Sequence, residues 1–600
     1  MRSLCALCLI VSFGLCAGTI AQQSSRDVPR KPGVGTASIS GIVVTDDPDA
    51  RPLRRVRVFV NNADGEVART TISDDAGAFR FDGLPSGRYL IGGAKEGYVT
   101  TNYGAIRPGG PGSTVVIAEG AARTDIRLPL LRGAVITGTL LDPEGQPIPG
   151  VGMRALRYAY TANGERRLTA VTTTMAGHVT DDRGVYRIYG LPPGEYAIAA
   201  PAIGSMSSGD EILMMTQSDV QRALDEVRQS SRQQPGSASD PTSTISGAAD
   251  DSRAVGYATT FYPGAAVPSQ SLVIPLSRTE ERTGIDFQLQ YVPMSTIRGS
   301  IIAPSNMMPS RLTVHLIATD EVMLSETNSE GRRTSVTAKG EFSFVNVPPG
   351  PYTIVAKAAQ SASSFFWATS DIVVDGQSEP QVSLSMQPGL TISGRVTFDG
   401  RSAMPVLSRV RVVLVPFLSG AQVSLASAPA RVDNSGRFSI AGVVAGKYRL
   451  QAAIDGPSGW MLSSSVVSGR DALDLPMEVR QSLDGAVVTF SDRPAELSGS
   501  VRDASGQPAM AATVILFPAD RTLWTPHSPR IRAEQSTTDG TFHLRRLPAG
   551  EYYVTALADV EEYEWYDPAF LERVVPSSAK TTIAEDEKKA VDVIQQSRVR

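Results

Sequence analysis

Catalytic chemistry needs a nucleophile, a metal set or a pair of titrating groups held at a fixed spacing, and the chain has few candidates for any of these. Its histidines are His178, His315, His527 and His543. They are scattered singly, which is not how a ligand set for zinc is built. The cysteines, Cys5, Cys8 and Cys16, all fall within the first 21 residues. There is neither a G-x-S-x-G elbow nor a glycine-rich loop ending in Lys-Ser/Thr. Ser577-Ser-Ala-Lys580 matches an S-x-x-K signature in letters only, because its partner motifs are missing. Aspartates precede glycine in Asp74-Asp75-Ala-Gly77, Asp181-Asp182-Arg-Gly184, Asp433-Asn-Ser-Gly436 and Asp539-Gly540. A calcium loop wants about six oxygen ligands at alternating positions, so these read as turn-forming aspartates. The expectation is therefore no catalytic residues, no metal and no cofactor.

Binding chemistry is better represented. The tryptophans are Trp367, Trp460, Trp524 and Trp565. Trp524 stands in Arg521-Thr-Leu-Trp-Thr-Pro-His-Ser-Pro, which reads as a loop insertion. Trp565 stands in the acidic aromatic run Asp559-Val-Glu-Glu-Tyr-Glu-Trp-Tyr-Asp567. Flat rings beside carboxylates suit the faces and hydroxyls of sugars, and they also suit protein partners, where Trp and Tyr are common anchors. Trp524, Tyr563, Trp565 and Tyr566 are the candidate ligand-binding residues. Ordinary packing of a loop over its own sheet is the competing explanation.

The elements that must carry these residues form an internal repeat. One copy runs Gly77-Ala-Phe79-Arg-Phe81-Asp-Gly-Leu84-Pro85-Ser-Gly87-Arg-Tyr89-Leu-Ile91. Four others keep glycine, glycine and tyrosine at offsets 0, 10 and 12: Gly184/Gly194/Tyr196, Gly340/Gly350/Tyr352, Gly436/Gly446/Tyr448 and Gly540/Gly550/Tyr552. Apolar residues at +2 and +4, and again at +12 and +14, mark two strands, because strand side chains alternate with period two. The Leu/Val-Pro-x-Gly between them reads as a turn. A tyrosine two residues past that glycine matches the tyrosine corner of β-sandwiches, so these five are expected in the core.

Each repeat opens alike, at Ile39-Ser-Gly41, Ile136-Thr-Gly138, Ile297-Arg-Gly299, Ile392-Ser-Gly394 and Leu497-Ser-Gly499. Second strands are expected at Val56–Val60, Val410–Val415 and Thr513–Phe517. Short β runs at regular spacing with turns between them indicate an all-β sandwich. The opening glycines stand 97, 161, 95 and 105 residues apart. The long interval implies an insertion at 205–254, with helical spacing at Val220, Ala223, Leu224 and Val227, then a Ser/Gly/Asp/Pro-rich stretch.

Residues 1–21 have a charge at Arg2, an apolar run from Leu4 to Leu15 and small residues before Gln22, the layout of a secretory signal. The mature chain would then have no thiol. No later run of about 18 apolar residues suggests a membrane span. With 42% hydrophobic and 20% charged residues, the chain is not wholly disordered. Its 54 glycines and 40 prolines fit a turn-rich fold. A net charge of −4 argues against a partner built on a nucleic-acid backbone.

The pattern of x-G-x-V/L-x-D with G-Q-P, then D-x-x-G-x-F…L-P-x-G-x-Y, resembles the carboxypeptidase regulatory-like domain. Gly138 to Pro147 and Gly499 to Pro508 match it most fully, whereas repeats three and four lack G-Q-P, and Val444 replaces the turn proline. The resemblance implies transthyretin-like β-sandwiches, related in shape to starch-binding domains and collagen-adhesin repeats. The peptidase does not carry over. It needs His-x-x-Glu plus a distant His, and the positions three beyond each histidine here are Asp181, Ala318, Arg530 and Arg546. A Lys–Asn isopeptide bond of the adhesin kind is not expected either, since no opening strand contains a lysine.

The sequence thus implies an all-β, tandem array of five transthyretin-like β-sandwich domains, one with a helical or disordered insertion. The segments are a signal at 1–21, a flexible stretch at 22–35, and sandwiches at 36–131, 132–292, 293–388, 389–493 and 494–600. The functional expectation is an exported, non-catalytic binding or scaffold protein of the cell envelope. It would be periplasmic, cell-surface or extracellular. Polysaccharide is the leading ligand class by fold resemblance. The alternative is a structural spacer or an assembly component that contacts envelope proteins without binding glycans.

Overall fold

The computed structural model describes residues 35–596 apart from 64–67, 162, 172–177, 203–211, 214–253, 305–311, 319–331, 360–364, 418–426 and 457. Signal-like residues 1–21 and the helical spacing at 220–227 lie outside the described residues. The chain is built from many small sandwich-like sheets in tandem. Among the described residues, no helix is long and apolar enough to cross a membrane.

The same two-sheet arrangement recurs at each sequence repeat. The opening strand Ala37–Thr45 lies between Ala78–Leu84, antiparallel, and Ala122–Leu130, parallel. Ser295–Ile302 and Leu390–Asp399 repeat that placement with their own flanking strands. The tyrosine strand Gly87–Ala94 lies in the other sheet, antiparallel to Arg57–Asn62. The same pairing joins Gly446–Ile454 to Val410–Pro416 and Gly550–Leu557 to Thr513–Pro518. The Leu-Pro-x-Gly turn therefore carries the chain from one sheet across to the other. Phe79, Phe81, Tyr89 and Ile91 meet between the sheets, all buried.

The tyrosine corner is present five times. Each hydroxyl donates to the carbonyl four residues upstream: Tyr89 to Pro85 (2.8 Å), Tyr196 to Pro192 (2.6 Å), Tyr352 to Pro348 (3.0 Å), Tyr448 to Val444 (2.9 Å) and Tyr552 to Pro548 (2.7 Å). Val444 serves as well as proline because the acceptor is main chain. Tyr89, Tyr196, Tyr448 and Tyr552 are buried and Tyr352 is half-buried against its core, and a ring so enclosed needs a partner for its hydroxyl.

The aspartates before the first glycine cap turns. Asp74 Oδ1 accepts from the N–H of Ala76 and Ala78, and Asp433 Oδ1 from Ser435 and Arg437. Thr337 and Thr537 fill the same role through their hydroxyls in repeats three and five. One oxygen in each turn is thus committed to backbone N–H groups. Among the described residues, no cluster of three His, Cys, Asp or Glu is placed to hold a metal ion.

Repeat five departs from the others in two ways. Its final strand Val593–Gln596 pairs with both Ala495–Arg502 and Gly550–Leu557, so the two sheets join along one side. It also holds the α-helix Pro568–Val574, capped by Asp567, whose carboxylate accepts from the Ala569 N–H at 2.9 Å. The sequence had offered helix only for 205–254. Here Pro568 at the first helical position and an Asp cap make a start signal of the ordinary kind.

The array does not run on in a line. Repeat five turns back onto repeats one and two while still contacting repeat four. Arg107 of repeat one pairs with Asp559 (2.7 Å), and Arg88 pairs with Glu534. His527 Nε2 meets Asn163 Oδ1 of repeat two at 3.0 Å. Arg530 pairs with Asp474 of repeat four at 2.6 Å.

Candidate functional site

The four aromatic residues singled out in the sequence are placed differently. Trp524 follows a short 3-10 turn, Arg521–Leu523, capped by Asp520. Its indole is buried, its Nε1 donates to the Pro518 carbonyl at 2.7 Å, and its edge meets Phe517 at 5.7 Å. Phe570, Leu571 and Val574 of the helix complete that cluster. Trp524 is thus a core residue with no face for a ligand, because loop and helix close over the sheet. The buried indole supports the competing explanation, packing of the loop over its own sheet.

Tyr563, Trp565 and Tyr566 lie together, each half-buried. Tyr563 adopts a left-handed backbone (φ 66°) and starts the 3-10 turn Glu564–Tyr566. Its ring stacks on Tyr566 with 6.5 Å between centroids, and Trp565 is tilted 6.0 Å away. Tyr566 is spent on repeat two. A Cβ on Gly164 would meet its carbonyl at 2.5 Å, and Gly164 also has φ +74°, so this approach needs glycine. The His527 ring lies 5.9 Å from Tyr566 on the same contact.

Tyr563 and Trp565 reach instead into a cleft of about 1190 Å³ where repeats one, two and five meet. Repeat one supplies Arg88 and Arg107, repeat two Arg157 and Tyr160, and repeat five the strand Arg532–Gln535 with Arg545 and Arg546. Sequence reasoning missed all of these. The arginines belong to three repeats and carry no shared spacing, so no local signal could have found them.

The electrostatics are mixed. Burial raises the Tyr160 hydroxyl above its ordinary pKa, and Glu564 and Asp567 push it further. Glu562 raises Tyr563 in the same direction. His527 is held below its ordinary value, first by burial and then by Arg449. Burial lowers His178 too, helped by Arg154.

A depressed histidine pKa means that the folded state binds fewer protons than the unfolded state just below about pH 6.5. Stability supplied by neutral His527 is therefore complete above that pH and is lost as pH falls. The urea midpoint of the full chain should drop between pH 7.5 and 5.0. His527→Gln, which keeps a hydrogen bond available to Asn163, should shrink that drop, with His178 leaving a remainder. An unchanged drop in the variant would remove His527 from the account.

Comparison with known proteins identifies one segment. The profile of the carboxypeptidase regulatory-like domain matches residues 38–128, a non-catalytic regulatory-like domain. No curated protein matches the chain. A streptococcal ancillary pilin aligns at 14% identity over 50% of this chain and 99% of its own, with a TM-score of 0.18. The minor pilin of Streptococcus agalactiae aligns at 11% identity over 46% and 100%, with a TM-score of 0.21. A proposed carbohydrate-binding protein of Pseudomonas aeruginosa aligns at 18% identity over 16% and 89%, with a TM-score of 0.13.

Proposed function

We propose that this is an exported, non-catalytic assembly component of the cell envelope, working through contacts with other proteins. On this reading the repeats are five β-sandwich domains at 36–131, 132–292, 293–388, 389–493 and 494–600. The observation that carries it is how repeat five spends its chemistry. Trp524 packs in its own core, Tyr566 and His527 meet repeat two, Arg530 meets repeat four, and Glu534 and Asp559 meet repeat one. Side chains that suit a ligand are used to lock the domains into one body. A body closed in this way suits a building element that must hold a shape.

Polysaccharide binding is the second reading, favoured by Tyr563 and Trp565 in the junction cleft. Two measurements separate them. The mature chain should run unretarded in gels containing each of a panel of polysaccharides. A photo-crosslinking residue at Ile72, Val373 or Met404, exposed apolar positions outside the cleft, should give protein adducts in the envelope of the producing cell. Retardation that Trp565→Ala abolishes, with no adduct at any position, would replace the assembly reading with the glycan one.

A further inference from the structure

The junction cleft keeps charge and backbone that the joining of the repeats leaves unused. Six arginines and three glutamates line it, and Glu534 is already held by Arg88. Among the described residues, neither Arg157 nor Arg532 has an acidic partner. Part of the wall is sheet edge. The strand Arg532–Gln535 ends its sheet and pairs only with Thr513–Pro518, and all four of its residues line the cleft. Across from repeat five, the strand Arg166–Ala170 ends the sheet of repeat two, pairs only with Arg154–Tyr160, and lends Thr169 and Ala170 to the lining.

An edge strand presents a row of N–H and C=O groups along its outer side. The ligand that satisfies such a row is another extended peptide, which gains main-chain hydrogen bonds and places alternate side chains in the flanking pockets. A sugar offers hydroxyls and a flat face but no matching repeat of donors and acceptors. Gln535 Oε1 and Thr114 Oγ1 are enclosed in the lining without a hydrogen-bond partner among the described residues, so the wall can still accept hydrogen bonds. The unbalanced arginines decide the sign of the guest.

We infer that the cleft receives an extended acidic segment of a partner protein, added as a strand along Arg532–Gln535 with carboxylates toward Arg157 and Arg532. This rests on the assembly reading and names the chemistry of one partner contact. The strand geometry supplies affinity, and the arginines supply selectivity and a salt-sensitive approach.

The probe is a fluorescein-labelled octapeptide of alternating Glu and Val, read by anisotropy against the intact mature chain. Saturable binding that weakens with added salt is expected. Arg157→Glu with Arg532→Glu, at a half-buried and an exposed position, should weaken it about tenfold or more. The same peptide N-methylated on alternate residues keeps its charge but loses main-chain donors, and it should bind about tenfold more weakly as well. An oligogalacturonate of equal charge should not compete. Equal binding of the N-methylated peptide, competition by the oligogalacturonate, or no binding of the acidic peptide would each overturn the inference. If protein adducts still form at Ile72, Val373 or Met404, the assembly reading survives that failure. Absence of both results removes both.

Discussion

Gly499→Ala should unfold repeat five under conditions that leave the rest of the chain folded, at a cost of about 3 kcal/mol or more. The glycine lies in the opening strand Ala495–Arg502, where a β-carbon would fall on the carbonyl oxygen of Val591 and against the Phe542 ring. Main chain cannot step aside as a flexible side chain can. Gly41, Gly138 and Gly394 face the carbonyls of Ile126, Ile285 and Ala486 in the same way, while Gly299 is covered by the Phe342 ring. The repeated glycine is thus the price of bringing the last strand close beside the first. Gly459→Ala, where nothing lies within 4 Å of the added carbon, is the control and should be neutral. Urea unfolding followed by tryptophan fluorescence would check both. A Gly499→Ala chain as stable as the control would mean that the parallel strand can shift.

Asp474→Ala should release repeat four from repeat five, costing about 3–5 kcal/mol, the range for an ion pair broken from one side inside a protein. Asp474 is 5% exposed and its Oδ2 lies 2.6 Å from Arg530 Nε. Arg449, 2% exposed, comes from the same repeat as Asp474 and donates to the Pro526 carbonyl and the Thr525 hydroxyl of repeat five. Without the carboxylate, Arg530 would stay enclosed without its ion-pair partner, and Arg449 would keep only the more distant pull of Asp471. Burial pushes the Asp474 carboxyl above the usual carboxylate range, even with Arg530 and Arg449 drawing it down. The ionised form is therefore costly, and the cluster fixes how the repeats dock more than it adds to stability. Asp474→Leu combined with Arg530→Met should recover most of the loss. Small-angle scattering should report the single variant as extended and the double variant as compact. A compact single variant would show that the remaining contacts suffice.

Much of the fold was legible in the chain. The spacing of glycine, glycine and tyrosine located both strands on either side of the turn, since period-two alternation and a tight turn leave little freedom. The tyrosines were legible as core residues because a buried hydroxyl needs a fixed acceptor, and the turn always provides a carbonyl four residues back. Asp74, Asp181 and Asp433 were legible as turn residues for a similar reason, whereas in repeat five Thr537 and not Asp539 makes the cap. Trp524 was legible only as a choice. The Arg-Thr-Leu-Trp-Thr-Pro stretch reads as a loop insertion that either meets a ligand or packs over its own sheet, and the helix Pro568–Val574 laid across it supports packing. That helix was itself overlooked, being seven residues long and marked only by its start signal.

The sequence by itself determined what is local: the strand pairs, the capped turns, the tyrosine corners and the glycines that open each repeat. These follow from backbone sterics and from hydrogen bonds between residues a few positions apart. Tertiary structure alone decided what happens between repeats. Arg88 and Glu534, or Asn163 and His527, are hundreds of residues apart in sequence and meet only because repeat five turns back. Such contacts are made by single side chains on different sandwiches, with no periodicity to announce them. The cleft, its arginines and its two sheet edges exist only in that closed arrangement.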